Sequence, residues 1–343
     1  MNKTGYISRI RKELQDGRKH SKTTIERIAK GYGITNKNLV KEYTELAIVL
    51  NAREVAHNHS LSTYEKYLDI VALYQSQVNL SMRTSMSVLM QQYSTPAPIS
   101  FLASTYVRST KEEALYLEPS AGNGLLTVAL PYQQTHVNEL DDVRLSNLKE
   151  QPFAKVSSWD ALKPPAAYDK AFDGVVTNPP FGNLAEPMPF GNFKIKRLEH
   201  AMALKALRCM KDDGKAAIII GGHTSWDKHG RVSAGQNRIF LNYLYHFYHV
   251  EDIIPINGKK LYSRQGTSFN TRLILIDGAK AVPQGAAPLK NMLHSTMVNS
   301  HEALWDRVWL EDPTSNTNNK QLSLVKLRAK AILLKQKQHE VRN

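Results

Sequence analysis

Two short segments of the chain hold residues whose types and order point to chemistry. The first is Leu115-Tyr116-Leu117-Glu118-Pro119-Ser120-Ala121-Gly122-Asn123-Gly124, an apolar run that ends in a carboxylate and then turns through small residues. Glycines after a first strand let the backbone approach a ligand and turn helix N–H groups toward it. The longer G-x-G-x-x-G that cradles a dinucleotide pyrophosphate is absent, and Glu118-Pro119 points to a different ligand. The second segment is Phe172-Asp173-Gly174-Val175-Val176-Thr177-Asn178-Pro179-Pro180-Phe181. Its two prolines stiffen the backbone after Asn178 and leave carbonyl oxygens without competing N–H donors. An asparagine oxygen beside such a carbonyl makes a rigid double acceptor suited to an –NH2 group, and Phe181 adds a flat apolar surface. Together they fit a planar ring carrying an exocyclic amine. A proline-rich turn ending a strand explains the second segment alone, but not its occurrence downstream of the first.

In combination, Glu118–Gly124 followed by Asn178-Pro179-Pro180-Phe181 resembles the S-adenosylmethionine-dependent N6-adenine methyltransferases of DNA, in the order with the cofactor motif ahead of the catalytic one. Lesser matches follow in register. Gln92-Tyr93-Ser94-Thr95-Pro96 resembles the segment that packs over the methionine end of the cofactor, so the resemblance implies Tyr93, Thr95 and Pro96 as cofactor contacts. Thr95-Pro96 equally reads as a helix start. Glu139 stands where the family has an acid for the ribose hydroxyls, and a carboxylate accepts these better than a neutral group does. Asp160 stands where the family contacts the adenine amine, and it also reads as an N-cap before Ala161-Leu162. Glu118, Pro119, Ser120, Ala121, Gly122 and Gly124 complete the implied cofactor set, with Asn178 beside it. The resemblance covers about residues 90–280 and implies a Rossmann-like class I methyltransferase fold: a seven-stranded, mostly parallel sheet with helices on both faces. Residues 1–90 more distantly resemble helical extensions of mobile-element or phage-type members.

The implied activity is methyl transfer from S-adenosylmethionine to the exocyclic amine of adenine. A base inside a duplex cannot reach such a pocket and must be flipped out. Stacking on Phe181 offsets part of that cost, about 1–3 kcal/mol per base. Tyr262 is the candidate for the opposite aromatic wall, with Phe269 in reserve. RNA and a protein glutamine amide are rival acceptors, and a catalytically inactive nucleic-acid-binding subunit is the rival from another class. Two departures from the family stand out. Ile220-Gly221-Gly222-His223 replaces an apolar-proline turn, and only a short, loop-rich stretch follows Gly278 where relatives carry a target-recognition domain. Base reading then falls to the basic ends, the loop Asn183–Arg197, the insert Thr224–Arg238 or a protein partner.

The elements around these segments read as α/β. Strands are expected at Leu115–Glu118, Thr135–Glu139, Phe172–Thr177 and Ala216–Ile220, with a closing pair at His249–Ile254 and Thr271–Ile276. Alternation of such strands with helices means a parallel sheet. One helix is expected from about Phe193 to Lys211, with Ile195, Leu198, Met202, Ala206 and Cys209 on one face. Residues 1–90 read as helical, with helices around Ile25–Tyr32, from Asn38 to about His57 and after a Ser62 cap. They form either a helical cap on the main domain or a helix-turn-helix around Gly31-Tyr32-Gly33. A basic helix is expected at Gln321–Gln338. The expected division is residues 1–90, a catalytic domain at 91–280, and a basic extension at 281–343.

Composition narrows the remaining classes. The chain has 343 residues, 42% hydrophobic and 22% charged, which excludes wholesale disorder, and its one cysteine excludes a disulfide scaffold. No apolar run approaches the ~20 residues that cross a bilayer, and the N-terminus lacks the apolar core of a secretory signal, so a cytoplasmic location without a membrane partner is expected. The formal net charge is +14. Residues 1–60 carry 12 Lys and Arg against 6 Asp and Glu, and residues 320–343 carry 7 against 1. Basic ends suit phosphate contacts with a nucleic acid. No metal is implied.

Overall fold

The computed structural model describes residues 1–80, 94–222, 224–265 and 267–309. The chain divides into a unit at Met1–Val298 and a second at Asn299–Asn343. The first is built on a seven-stranded sheet in the order β3-β2-β1-β4-β7-β9-β8. These strands are β1 (Tyr116–Glu118), β2 (Thr135–Asn138), β3 (Lys155–Ser157), β4 (Phe172–Thr177), β7 (Met210–Gly221), β8 (Tyr248–Ile256) and β9 (Thr271–Ala279). β3, β2, β1, β4 and β7 pair in parallel, and β9 runs antiparallel between β7 and β8. Every residue of β1 and β4 is buried, as expected of parallel strands covered on both faces. The expected α/β class and mostly parallel seven-stranded sheet are therefore present. Strand β3, too short and too exposed to stand out by pattern, was not expected.

Among the described residues, the first 80 form four helices: α1 (Lys3–Gln15), α2 (Lys22–Gly31), α3 (Lys37–Ala56) and α4 (Thr63–Ser76). Each starts where a short polar side chain satisfies an orphan backbone N–H. Asn2, Ser21 and Asn36 cap the first three, and Ser62 with Glu65 forms a capping box on the fourth. α3 is buried almost all round and is locked to the sheet unit by Arg53. The Arg53 guanidinium donates to the Leu130 carbonyl at 2.7 Å and the Thr127 carbonyl at 2.8 Å, 3.8 Å from the centre of the Tyr132 ring. A helix held in this way has no face left for a DNA groove. The helix-turn-helix alternative around Gly31–Gly33 fails for that reason, and α1–α4 cap the sheet. Next come α5 (Ala97–Val107) and α6 (Asp142–Lys149), the latter capped by Asp141.

One expected helix is wrong at its start. Residues 193–197 are not helical: β5 (Asn183–Phe190) and β6 (Phe193–Arg197) form an antiparallel hairpin, and the helix that follows, α7, spans Leu198–Arg208. Ile195 is buried on a strand, where it falls by coincidence on the apolar stripe of α7. The alternation Phe193-Lys194-Ile195-Lys196-Arg197 is the period-2 signal that marks it. α8 (Gln236–Phe247) then leads into β8. In the second unit the described residues form α9 (His301–Val308), capped by Ser300. The expected helix Gln321–Gln338 lies outside the described residues, as do Tyr93 and His223. Among the described residues, no helix is long and apolar enough to cross a membrane.

Candidate active site

The carboxyl ends of β1, β2 and β4 open onto a cavity of about 370 Å³, within the range of small-molecule sites. Its wall includes Thr95, Pro119, Ser120, Ala121, Gly122, Glu139, Asp160, Asn178, Pro179, Pro180, Phe181 and Tyr262. The two motifs read from the sequence thus face one space. Glu118, Gly124 and Pro96 do not line it and lie buried behind the wall.

The loop after β1 is shaped by two left-handed glycines, Gly122 at φ +56° and Gly124 at φ +93°. At Gly124 a Cβ would also press on Phe153 at 3.3 Å. After Gly124 the chain makes only a single 3-10 turn, Leu125–Thr127. Pro131 follows closely, and no regular helix is left to aim a row of N–H groups at a ligand. The Glu139 carboxylate holds the loop in place of a helix. One oxygen accepts from Gly122 N at 2.7 Å, and the other accepts from Leu140 N at 2.8 Å and Asp141 N at 2.9 Å. Of roughly four acceptor positions on a carboxylate, three are therefore used. Asn138 braces the same floor, donating to the carbonyls of Pro119 at 3.0 Å and Trp159 at 2.8 Å. Glu118 is fully buried and accepts from Ser120 N at 3.2 Å, and burial raises its pKa well above the usual carboxylate range.

Asp160 is exposed and on the wall, and its carboxylate accepts from Leu162 N at 3.0 Å. Residues 161–163 form a turn and not a helix, so this bond closes a turn and Asp160 caps no helix. Thr95 does precede a helix, α5, but Pro96 is that helix's N-cap and no side chain caps it. The Thr95 hydroxyl accepts from Asn178 Nδ2 at 2.9 Å instead. With its nitrogen turned to Thr95, the Asn178 amide presents Oδ1 as its acceptor atom.

A second cavity adjoins the first, sharing Phe181 and Phe269 with it. Its wall includes Arg197, Glu199, His200, Gly221, Gly222 and Asn237. The unusual Gly221 has a physical reason: a Cβ there would stand 2.6–3.1 Å from the Phe181 ring. Only hydrogen lets that ring lie across the end of β7. Of the two aromatic residues proposed for the far wall, Tyr262 is 2% exposed and borders the first cavity alone, whereas Phe269 is 64% exposed and borders both. Burial also raises the Tyr262 phenol, which stays neutral. His200 is buried and stacked on Phe240 at 4.3 Å. Burial, reinforced by Arg272 and Arg197, pulls its pKa down to about 3.

Sequence reasoning missed Glu45, Arg144 and Met202 on the wall of the first cavity. Met202 belongs to the apolar stripe of α7 already read as core. Glu45 comes from the N-terminal helices, which no motif links to residues 118–181.

A solved structure of a candidate class I S-adenosylmethionine-dependent methyltransferase from Listeria monocytogenes superposes with a TM-score of 0.50, covering 89% of this chain and 98% of that one at 13% identity. The fold is that of a class I methyltransferase. A modification subunit of a candidate type I restriction enzyme from Vibrio vulnificus is similar at a TM-score of 0.45 and 15% identity, covering 84% of this chain and 66% of that one. The M protein of the type I restriction enzyme EcoKI is similar at 0.44 and 12%, covering 90% of this chain and 76% of that one. No family model and no curated protein matches the sequence. In the methyltransferase fold, ligands bind outside the carboxyl ends of the strands, which is where both cavities lie.

Proposed function

We propose that this chain transfers a methyl group from S-adenosylmethionine to the exocyclic amine of adenine in DNA, with the target base flipped out of the duplex. The observation that carries the reading is the bond from Asn178 Nδ2 to Thr95, which makes Oδ1 the acceptor atom of an amide that lines the first cavity with Pro179. The cavity fits the cofactor. Its acids Glu45, Glu139 and Asp160 suit amine and hydroxyl groups, and Leu125, Leu126 and Leu162 give it apolar wall between them. When bound, S-adenosylmethionine supplies a methyl group on a positively charged sulfur.

The residues of the chain do the rest. An adenine amine is a poor nucleophile because its lone pair is delocalised into the ring. Asn178 Oδ1 and the Pro179 carbonyl each accept one N–H, drawing the nitrogen toward tetrahedral geometry and aiming its lone pair into the first cavity. Positioning of this kind supplies much of the rate. The prolines keep the two acceptors at a constant spacing. Phe181 and Phe269 border both cavities, so the second cavity receives the base between two aromatic surfaces. Glu139 has one acceptor position left, which would take a ribose hydroxyl, and Asp160 would accept from the adenine amine of the cofactor. The excess of Lys and Arg in residues 1–60 suits phosphate contacts that position DNA without reading it.

The test is methyl transfer from labelled cofactor to DNA, RNA and protein, followed by nucleoside analysis. Label in N6-methyladenine of DNA supports the proposal. Label in RNA or in glutamine moves the acceptor to that class. Binding of the cofactor without transfer to any acceptor identifies an inactive subunit.

A further inference from the structure

The helical cap reaches into the cofactor cavity. Glu42 and Glu45 sit one helical turn apart on α3, both buried. Glu42 is fully served. It accepts from Arg144 Nε at 2.9 Å, Lys41 Nζ at 3.2 Å and Asn123 Nδ2 at 2.8 Å. Burial alone would raise its pKa, but Arg144 and Lys41 hold it down at about 2. Arg144 and Lys41 both bond to Glu42 and act on Glu45 only through space. Glu45 is 2% exposed, lines the cofactor cavity, and is held there by the Ser94 side chain. Its Oε2 is buried with no hydrogen-bond partner. Burial and the neighbouring Glu42 push its pKa up. A buried carboxyl oxygen left without a hydrogen-bond partner is costly unless a ligand supplies a donor.

Position identifies the ligand group. Glu45 stands with Ser94 and Thr95, and Thr95 holds Asn178. The cavity's other two acids, Glu139 and Asp160, already accept backbone N–H groups. We propose that Glu45 binds the α-ammonium group of the cofactor's amino-acid moiety, so that the N-terminal helices form part of the cofactor site. The inference rests on S-adenosylmethionine as the cofactor and is independent of the methyl acceptor. A sulfonium has no N–H to donate, whereas an ammonium has three and can satisfy Oε2 directly.

The test is calorimetric titration of the full chain and of Glu45→Gln with four ligands. These are S-adenosylmethionine, S-adenosylhomocysteine, the analogue of the latter lacking the α-amine, and 5′-methylthioadenosine, which lacks the whole amino-acid moiety. In the unsubstituted protein, loss of the amine should weaken binding about tenfold or more, as expected for a hydrogen bond to a charged group. Glu45→Gln should weaken S-adenosylmethionine and S-adenosylhomocysteine by the same factor, leave 5′-methylthioadenosine unchanged, and no longer distinguish the deamino analogue. An equal loss for all four ligands would make Glu45 a structural residue and overturn the proposal. So would a loss confined to S-adenosylmethionine, which would place the sulfonium beside Glu45, or no loss at all. Should Glu45→Gln fail to fold, equal binding of the amine and deamino ligands by the unsubstituted protein overturns it too. If the unsubstituted protein bound none of the four, the cofactor itself would be wrong and this inference would fall with it.

Discussion

The two cavities at the carboxyl ends of the strands are built differently. The wall of the first is knitted together by backbone hydrogen bonds: Glu139 takes three N–H groups, and Asn138 bridges the loops after β1 and β3. The second is walled by side chains and small residues: Phe181 over Gly221, the largely exposed Phe269, and Arg197 bonded to Glu199 at 2.8 Å. A small cofactor of constant shape suits a wall set by the backbone. A base swinging in from a duplex suits a wall of rings that can close on it. The difference teaches that substitutions on the two sides should separate cofactor affinity from acceptor turnover.

The sharpest break comes in the wall of the first cavity, at the residue proposed to hold the acceptor amine. Asn178→Ala should lower turnover about a thousandfold, as removal of a group aimed at the reacting atom does elsewhere, while the cofactor dissociation constant changes less than about threefold. Single-turnover methylation and calorimetry check this, and near-normal turnover would refute the catalytic assignment. Gly221→Val comes next. Its side chain would collide with the Phe181 ring, and displacing that ring should slow transfer about a hundredfold with cofactor affinity kept. An equal loss of cofactor affinity would mean that the two cavities are one site energetically.

Between these comes a pH effect. In the folded chain His200 is neutral down to about pH 3, whereas an unfolded histidine takes up a proton near its usual value of about 6.5. The unfolded state therefore binds more protons between these values. The contribution of His200 is full above about pH 6.5 and is lost as the pH falls toward 3, about 2 kcal/mol at pH 5. Denaturant unfolding at pH 7 and pH 5 should show a loss smaller by that amount in His200→Phe. An unchanged pH dependence would place a charged imidazole against Phe240. The smallest effect is expected at the acceptor's outer wall: Phe269→Ala should raise the acceptor KM about tenfold, one stacking contact, and leave cofactor binding unchanged. Tyr262→Phe should do neither.

Much of this was legible in the residues. β4 was read to its exact ends, β1, β2 and the closing pair β8–β9 to within a few residues, and Ser62 as a helix cap, because buried parallel strands and capping side chains write local patterns. The hairpin β5–β6 was not, because Ile195 continued the apolar stripe of α7 across a strand. Asp160 read as a helix cap or a ligand, and the cap reading fails because a turn, not a helix, follows it at residues 161–163. The preference between Tyr262 and Phe269 was also invisible, because two aromatic residues in one loop differ only in which way the loop turns them.

By itself, then, the order of residues determined the alternation of strands and helices, the position of Asn178-Pro179 at a strand end and the small-residue turn at Ser120–Gly124. Those features depend on neighbours within a few residues, where periodicity, proline and glycine act directly. Only the tertiary structure decided that Thr95 orients Asn178, that Gly221 makes room for Phe181, and that Glu45 joins the cavity wall from α3. Each of these pairs residues far apart in the chain, and their meeting depends on how helices and strands pack rather than on any spacing between them.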